Sequence, residues 1–273
     1  MSYAPDSGRF RALLLTGTAH CGSTLLGRML AMHSRAICLG EVLRMGDAIE
    51  RGFACSCGEA LGACPFWSRY AELFRSYATD WRRYDLAFLD AFARGEERDL
   101  IVDLSKTRVW RSRRAWKRGE AARLVGFVFQ LRDSRGVMAA AKRAGHDVAH
   151  AAERHAKWVK RLDRFADKER ARTFRTSYEA LCADPEGRIR ELMNWLELDF
   201  EPRQLEPSDR VHHLVHASAS SYLAGSNEIR RDERWRTELD PAEIALIERQ
   251  MERVPILRTL YLDPSAPEYV YRD

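Results

Sequence analysis

The sequence predicts an α/β fold, a single P-loop-like domain with a mainly parallel central sheet flanked by helices. Three observations predict it. Short, continuous apolar runs alternate with helical periods along the chain. One of those runs, Leu124–Leu131 (LVGFVFQL), is too continuous for a strand with a wet face and reads as buried on both sides. A glycine-bounded turn at 17–22 joins an apolar run to a helical one, the order that strand–loop–helix anion sites require.

Taken in order, Arg11–Thr16 (RALLLT) reads as the buried first strand and 23–33 (STLLGRMLAMH) as the helix that follows the turn. Residues 99–103 (DLIVD) form a second strand, 124–131 the clearest one and 171–176 a weaker fourth. Val148, Ala151, Ala152, His155, Val159, Leu162 and Phe165 recur at spacings of three and four, which marks one helix face. Ile189, Leu192, Met193 and Leu196 do the same. Asp184-Pro185 and Asp240-Pro241 each read as an N-cap followed by proline at the first helical position. Glu243, three residues after Asp240, completes a capping box. The arginine-rich run 108–123 reads as a solvated helix face. The cysteine-rich stretch at about 52–70 reads as an insertion within one domain spanning 1–273.

Composition bounds the function. The chain has 273 residues, 45% of them hydrophobic and 31% charged, which suits a folded core rather than a disordered chain. Its 45 Lys+Arg against 40 Asp+Glu give a formal charge of +5, enough to attract a polyanionic small molecule but too little to coat a nucleic acid. No stretch approaches the ~20 apolar residues of a membrane helix. Residues 1–11 are polar, without a charged-then-apolar export signal, so a cytoplasmic protein is expected. Six cysteines are too few for a disulfide scaffold.

The most informative segment is Gly17-Thr18-Ala19-His20-Cys21-Gly22-Ser23-Thr24. Its glycines let successive N–H groups point into one concavity, and the following helix N-terminus adds partial positive charge. The spacing is that of a Walker A loop, but Ser23 stands where the lysine belongs. That lysine neutralises the β- and γ-phosphates of a nucleoside triphosphate. Without it, triphosphate hydrolysis is disfavoured, while a less charged phosphate ester still fits.

This segment, GTAHCGSTLLGRMLAMHSRAICLGEV, resembles the first motif of sulfotransferases that use 3′-phosphoadenosine 5′-phosphosulfate (PAPS), in the bacterial and tyrosylprotein-sulfotransferase branch. DLSKTRV, FVFQLRDSRGVMAA, FRTSYEALCADPEGRI and GSNEIRRDERW resemble later motifs of that family in the same order, and CSCGEALGACPFW recurs in its bacterial members. The resemblance implies sulfuryl transfer from PAPS to a hydroxyl or amine of a small-molecule, carbohydrate or peptide acceptor. It implies Glu41 as catalytic base and Lys106 as the cation at the transferring sulfonate, with His20, Cys21, Gly22, Ser23 and Thr24 around the 5′-phosphate. Arg132 and Ser134 would take the 3′-phosphate, Tyr178 would lie near the adenine, and Asn227 and Arg230 would close over the phosphates.

Two departures stand out. His20 replaces the family's usual Arg or Lys, so it is expected to act as a hydrogen-bond donor. Ala140 stands where the family often has a serine that shares the 3′-phosphate, leaving Ser134 or Lys142 to compensate. The alternatives to a sulfotransferase are a nucleotide-dependent small-molecule kinase and a non-catalytic nucleotide-binding relative.

Cys55, Cys57 and Cys64 concentrate three thiols, open to zinc with a fourth ligand such as Cys38 or a histidine, to a disulfide, or to reduced thiols in a substrate lid. The stretch lacks paired C-x2-C units, and His212, His213 and His216 have no carboxylates at metal spacing, so no metal site is expected. The insertion, the arginine-rich run and 208–224 are expected to shape the acceptor pocket.

Overall fold

A computed structural model describes residues 11–73, 86–106, 124–216 and 226–262. Five strands, β1 (Arg11–Thr16), β2 (Ala36–Gly40), β3 (Leu100–Asp103), β4 (Leu124–Leu131) and β5 (Thr173–Ser177), form one sheet in the order β2-β3-β1-β4-β5. Every pairing is parallel. The chain therefore leaves β1 toward β2 and β3 on one side and reaches β4 and β5 on the other. A crevice at the carboxyl ends of the strands follows from that reversal.

The apolar runs lack polar alternation because both faces of the sheet are covered. In β1, Ala12 and Leu14 pack with Phe127 and Phe129 of β4 into one core. Helices α4 (Ser134–Arg143), α5 (Val148–Lys168), α9 (Pro241–Glu252) and α10 (Pro255–Tyr261) close that face through Val137, Val159, Leu162, Phe165, Ile247 and Leu257. Leu13, Leu15 and Val128 point to the opposite face, against Leu26 and Met29 of α1 (Ser23–Ala31) and Ile189 and Leu192 of α7 (Pro185–Trp195). Full burial of each such leucine is worth about 1.5–3 kcal/mol. The remaining helices are α2 (Met45–Glu50), α3 (Leu86–Glu96), whose Leu89 and Phe92 are wholly buried in the first core, α6 (Tyr178–Ala183) and α8 (Trp235–Glu238). Among the described residues no helix is long and apolar enough to cross a membrane.

The expected strands lie where the apolar runs placed them, with the weak one at Thr173–Ser177 instead of 171–176. One strand, β2, escaped sequence reading. Its five residues AICLG are all buried but too few, and too lacking in β-branched or aromatic residues, to give a pattern. The capping assignments hold: Asp184 accepts from Gly187 N–H, and Asp240 and Glu243 form the reciprocal capping box. The run 108–123 lies outside the described residues.

His155 of α5 is buried, its Nε2 3.0 Å from Ser134 Oγ at the head of α4. Burial lowers its pKa from 6.5 to about 4. Desolvation does the same to His20 and His212, each lowered to about 4. The folded protein thus binds fewer protons than the unfolded chain between these values, and stability present in full above the unfolded pKa is lost as pH falls toward the folded one. Glu179 works in the opposite sense, since burial pushes it up to about 7, but it is one group against three. Urea unfolding should give a free energy lower at about pH 5 than at about pH 7 by on the order of 2 kcal/mol. An unchanged or higher value at the acid end would show that these imidazoles are not held neutral by the fold.

Candidate active site

The turn after β1 is built around Gly22. Its φ of 87° is left-handed, and a Cβ there would lie 2.5 Å from Cδ2 of Tyr178. Only glycine meets both demands. Gly22 is the N-cap of α1 and provides no side-chain cap. Helices α4, α5, α6, α7 and α9, by contrast, are capped by the side chains of Asp133, Asp147, Ser177, Asp184 and Asp240. The start of α1 therefore has no side-chain cap to compete with an anion, while the Ser23 N–H and hydroxyl bond the Cys21 thiol. Ser23 is buried at the first helical turn, and Thr24 is half-buried beside it. Cys21 differs from a loop thiol activated by its setting. Its side chain turns into the core, where a Cβ on Gly17 would meet Sγ at 2.7 Å, and burial raises its pKa. Cys21 has only its backbone to offer a ligand.

Glu41 and Lys106 follow two neighbouring parallel strands, β2 and β3. Leu104 N–H donates to Gly40 O (2.9 Å), which locks the strand ends together. Asp103 Oδ1 accepts from both the N–H (2.8 Å) and the hydroxyl (2.5 Å) of Ser105, and Ser105 Oγ accepts from Leu43 N–H at 3.2 Å. Asp103 thus orients the loop that carries Lys106 and ties it to the turn after Glu41. The outcome is an ion pair between Lys106 Nζ and Glu41 Oε1, both largely buried. On its other side Glu41 N–H donates to Val215 O (2.8 Å), and Val215 N–H donates to Leu39 O (3.1 Å). A Cβ on Gly40, itself at φ 77°, would fall 2.3 Å from Val215 O, so the approach of this segment requires glycine.

His20, Glu41 and Lys106 line one cavity of about 410 Å³ with Thr18, Arg44 and Ser105. Arg44, Lys106 and Arg154 set three cations against the single carboxylate of Glu41 in this lining, a balance that suits an anion. His20 is kept neutral by burial and then by the charges of Lys106 and Arg132. It is left as a hydrogen-bonding group, not a cation. His20 (φ 63°) and Lys106 (φ 49°), which line the cavity, both hold left-handed backbone despite their side chains, at a strain of about 1–3 kcal/mol each. The far wall comes from α4 and α5, through Val137, Met138, Ala141, Ala151 and Trp158. Among the described residues, none of this cavity's lining comes from 52–70 or 208–216, and 217–224 and the arginine-rich run lie outside the described residues.

The remaining expected ligands hold protein partners. Arg132, at the end of β4, is buried, with its guanidinium 4.4 Å over the Tyr178 ring and donating to Asp232 Oδ2 (3.1 Å) and His20 O (3.2 Å). The Tyr178 ring is thereby covered by a cation, and its hydroxyl donates to Arg230 O (3.3 Å) and accepts from Asp232 N–H (3.0 Å). Tyr178 braces the loop and the late segment rather than offering an open stacking face. Ser134 faces His155. Lys142, the other candidate to replace the missing hydroxyl at Ala140, donates to Glu238 O (3.0 Å) and Glu243 Oε2 (2.8 Å) on the outer helices. Asn227 Oδ1 accepts from Ser208 N–H (2.8 Å), and the exposed Arg230 guanidinium lies 3.6 Å from Glu228.

Sequence reasoning missed three residues here. Asp232 pairs with Arg132 and Arg234, and those guanidiniums hold its carboxyl well below the usual range. Glu179 accepts from Asp133 N–H (3.0 Å) and from the Tyr261 hydroxyl (3.0 Å), anchoring the β4–α4 turn. Gln130, wholly buried under the loop, has both amide atoms without a hydrogen-bond partner. The histidines do not cluster: His212 Nε2 lies 2.8 Å from Pro207 O, His216 packs on Phe53, and His213 turns toward the thiols.

No family model and no curated protein matches the chain. Among solved structures it is similar to the sulfotransferase domain from the curacin biosynthetic pathway, with 22% identity and a TM-score of 0.55 over 89% of this chain and 98% of that one. A sulfotransferase domain from the Synechococcus PCC 7002 olefin synthase aligns at 19% identity and a TM-score of 0.49, over 91% of this chain and 98% of that one. The first likeness is one of fold, and it fits the parallel sheet and the glycine turn after β1.

Replacing Gly22 by alanine should push Tyr178 and strain the turn. Sulfate or phosphate protection against thermal unfolding should then fall at least tenfold in apparent affinity, while far-ultraviolet circular dichroism stays native. Undiminished anion protection in Gly22→Ala would rule out this turn as the anion site.

Proposed function

We propose that the protein is a sulfotransferase that moves a sulfuryl group from PAPS to a hydroxyl or amine of a small-molecule, carbohydrate or peptide acceptor. The observation that carries this reading is the meeting of Glu41, Lys106 and His20 in one cavity beside the uncapped start of α1. A fold shared with a sulfotransferase domain supports it. So does Ser23 in place of the Walker lysine, which speaks against a triphosphate-hydrolysing kinase.

The donor residues fit the chemistry. The N–H groups of Gly22, Ser23 and Thr24, with the Ser23 and Thr24 hydroxyls, would hold the 5′-phosphate, the Ser23 groups turning from the Cys21 thiol to do so. The bound donor would supply an activated sulfuryl group on a phosphate leaving group. Lys106 would place its ammonium on the sulfonate oxygens, where charge shifts during in-line transfer, and a mobile point charge suits a moving group. Neutral His20 would donate a hydrogen bond toward the bridging oxygen. Glu41 would accept the acceptor's proton as its oxygen or nitrogen bonds to sulfur, while the sulfur–oxygen bond to the phosphate breaks. Arg132 is the residue proposed for the 3′-phosphate, which must compete there with Asp232. The α4–α5 wall, with Trp158, would contact the acceptor's apolar part.

Titration calorimetry should register adenosine 3′,5′-bisphosphate binding and little response to ATP. The reverse preference, or no heat with either nucleotide, would sink the reading. Turnover of labelled PAPS across an acceptor panel should fall by about two to four orders of magnitude in Glu41→Gln with nucleotide affinity retained. Near-normal turnover would remove Glu41 from the base role. Arginine at position 20 restores a fixed cation, so His20→Arg should keep or raise activity; its abolition in folded protein would contradict the donor role.

A further inference from the structure

Away from the cavity, residues from two distant parts of the chain converge on one point. Cys57 Sγ lies 3.7 Å from Cys64 Sγ, and His213 Nδ1 lies 3.3 Å from Cys64 Sγ and 3.8 Å from Cys55 Sγ. The four ligand atoms all fall within 4.8 Å of one another, and none of the sulfurs is in a disulfide. A tetrahedral zinc with Zn–S of about 2.3 Å and Zn–N of about 2.0–2.1 Å requires S···S edges near 3.8 Å and S···N edges near 3.6 Å. The three edges given above lie within about 0.3 Å of those values. We propose that Cys55, Cys57, Cys64 and His213 bind a structural zinc ion.

The surroundings are those of a built site. Gly58, at φ 96°, donates to Cys55 O (2.9 Å), Cys55 N–H donates to Glu59 O (2.8 Å), and Cys64 N–H donates to Ala60 O (2.8 Å). These bonds hold the loop that presents the thiols without help from the metal's own valence. The histidine arm is held by Ser56: its N–H donates to Leu214 O (3.1 Å), and its hydroxyl donates to His212 O (2.5 Å) and accepts from Leu214 N–H (2.8 Å). Phe66 stacks on the His213 ring, with centroids 5.6 Å apart and planes 5° from parallel. Cys55 and Cys64 are buried. Three thiolates and one imidazole are the donor set that zinc prefers, and four protein ligands close the coordination sphere, leaving no position for substrate. Loading would displace the three thiol protons into solvent.

The site has a structural purpose. It fastens the 212–215 segment to the insertion, and the same segment bonds to Leu39 and Glu41 through Val215. The proposal departs from the expectation of no metal: the histidine that would serve as fourth ligand lies 149 residues beyond Cys64, where no local spacing marks it.

The proposal does not depend on the sulfuryl-transfer reading, and its test reads metal, not activity. Elemental analysis of the full chain, purified under reducing conditions without added metal, should find one zinc per chain. Cys182→Ser should keep it, and His213→Ala and Cys57→Ser should lose most of it. Wild-type protein stripped with a chelator and loaded with cobalt(II) should show thiolate charge-transfer and tetrahedral d–d bands, a readout that does not rely on a variant folding. Metal-free native protein with all three thiols reactive, a Cys57–Cys64 disulfide in the unreduced protein, or an octahedral cobalt spectrum would each overturn the proposal.

Discussion

Because β2, β3, β1 and β4 run parallel, the residue that follows each strand emerges at the same edge of the sheet. Glu41, Lys106, the glycine loop and Arg132 are brought together by that constraint, not by nearness in sequence. The edges of the arrangement are sealed by main-chain bonds. Leu104 to Gly40 joins two strand ends, and Val215 bridges Leu39 and Glu41. These side chains stand on a frame of strand ends and main-chain bonds, with Asp103 and Ser105 adding side-chain ties, so their positions are set by topology.

Charge is distributed with the same economy. Buried cations are given carboxylate partners: Glu41 for Lys106, Asp232 for Arg132, and both Asp133 and Glu248 for Arg135. A buried charge without a partner is strongly disfavoured. On the proposed reading, an anion entering here would meet guanidinium and ammonium groups already oriented by carboxylates, with which it would compete. His20 contributes no charge to this balance, because desolvation keeps its ring neutral.

The fold was legible where local physics determined it. Buried strands such as Leu124–Leu131 announce themselves by unbroken apolarity, and Asp184-Pro185 and Asp240-Pro241 by cap chemistry that needs no tertiary partner. The glycine turn was legible for the same reason. β2 was not, because five buried residues carry no periodicity. Among candidate site residues, the sequence pointed to Glu41, Lys106 and His20 through their motifs, and they share a cavity. It could not reveal that Arg132 and Tyr178 are mutually packed, that Asp232 intervenes, or that His213 reaches across the chain to three thiols. Each of those facts is a long-range contact with no local signature.

Gly40 shows how unevenly this scaffold can change over generations. A side chain there would have to occupy the space of the Val215 carbonyl, so drift at that position is closed unless the neighbouring segment is rebuilt with it. The opposite wall is under no such restriction. Val137, Met138, Ala141 and Trp158 meet the cavity as ordinary side chains on stable helices, where exchange of one apolar shape for another is tolerated. On the proposed reading, exchanges on that wall alone would alter what the cavity admits, while the strand ends opposite stay fixed.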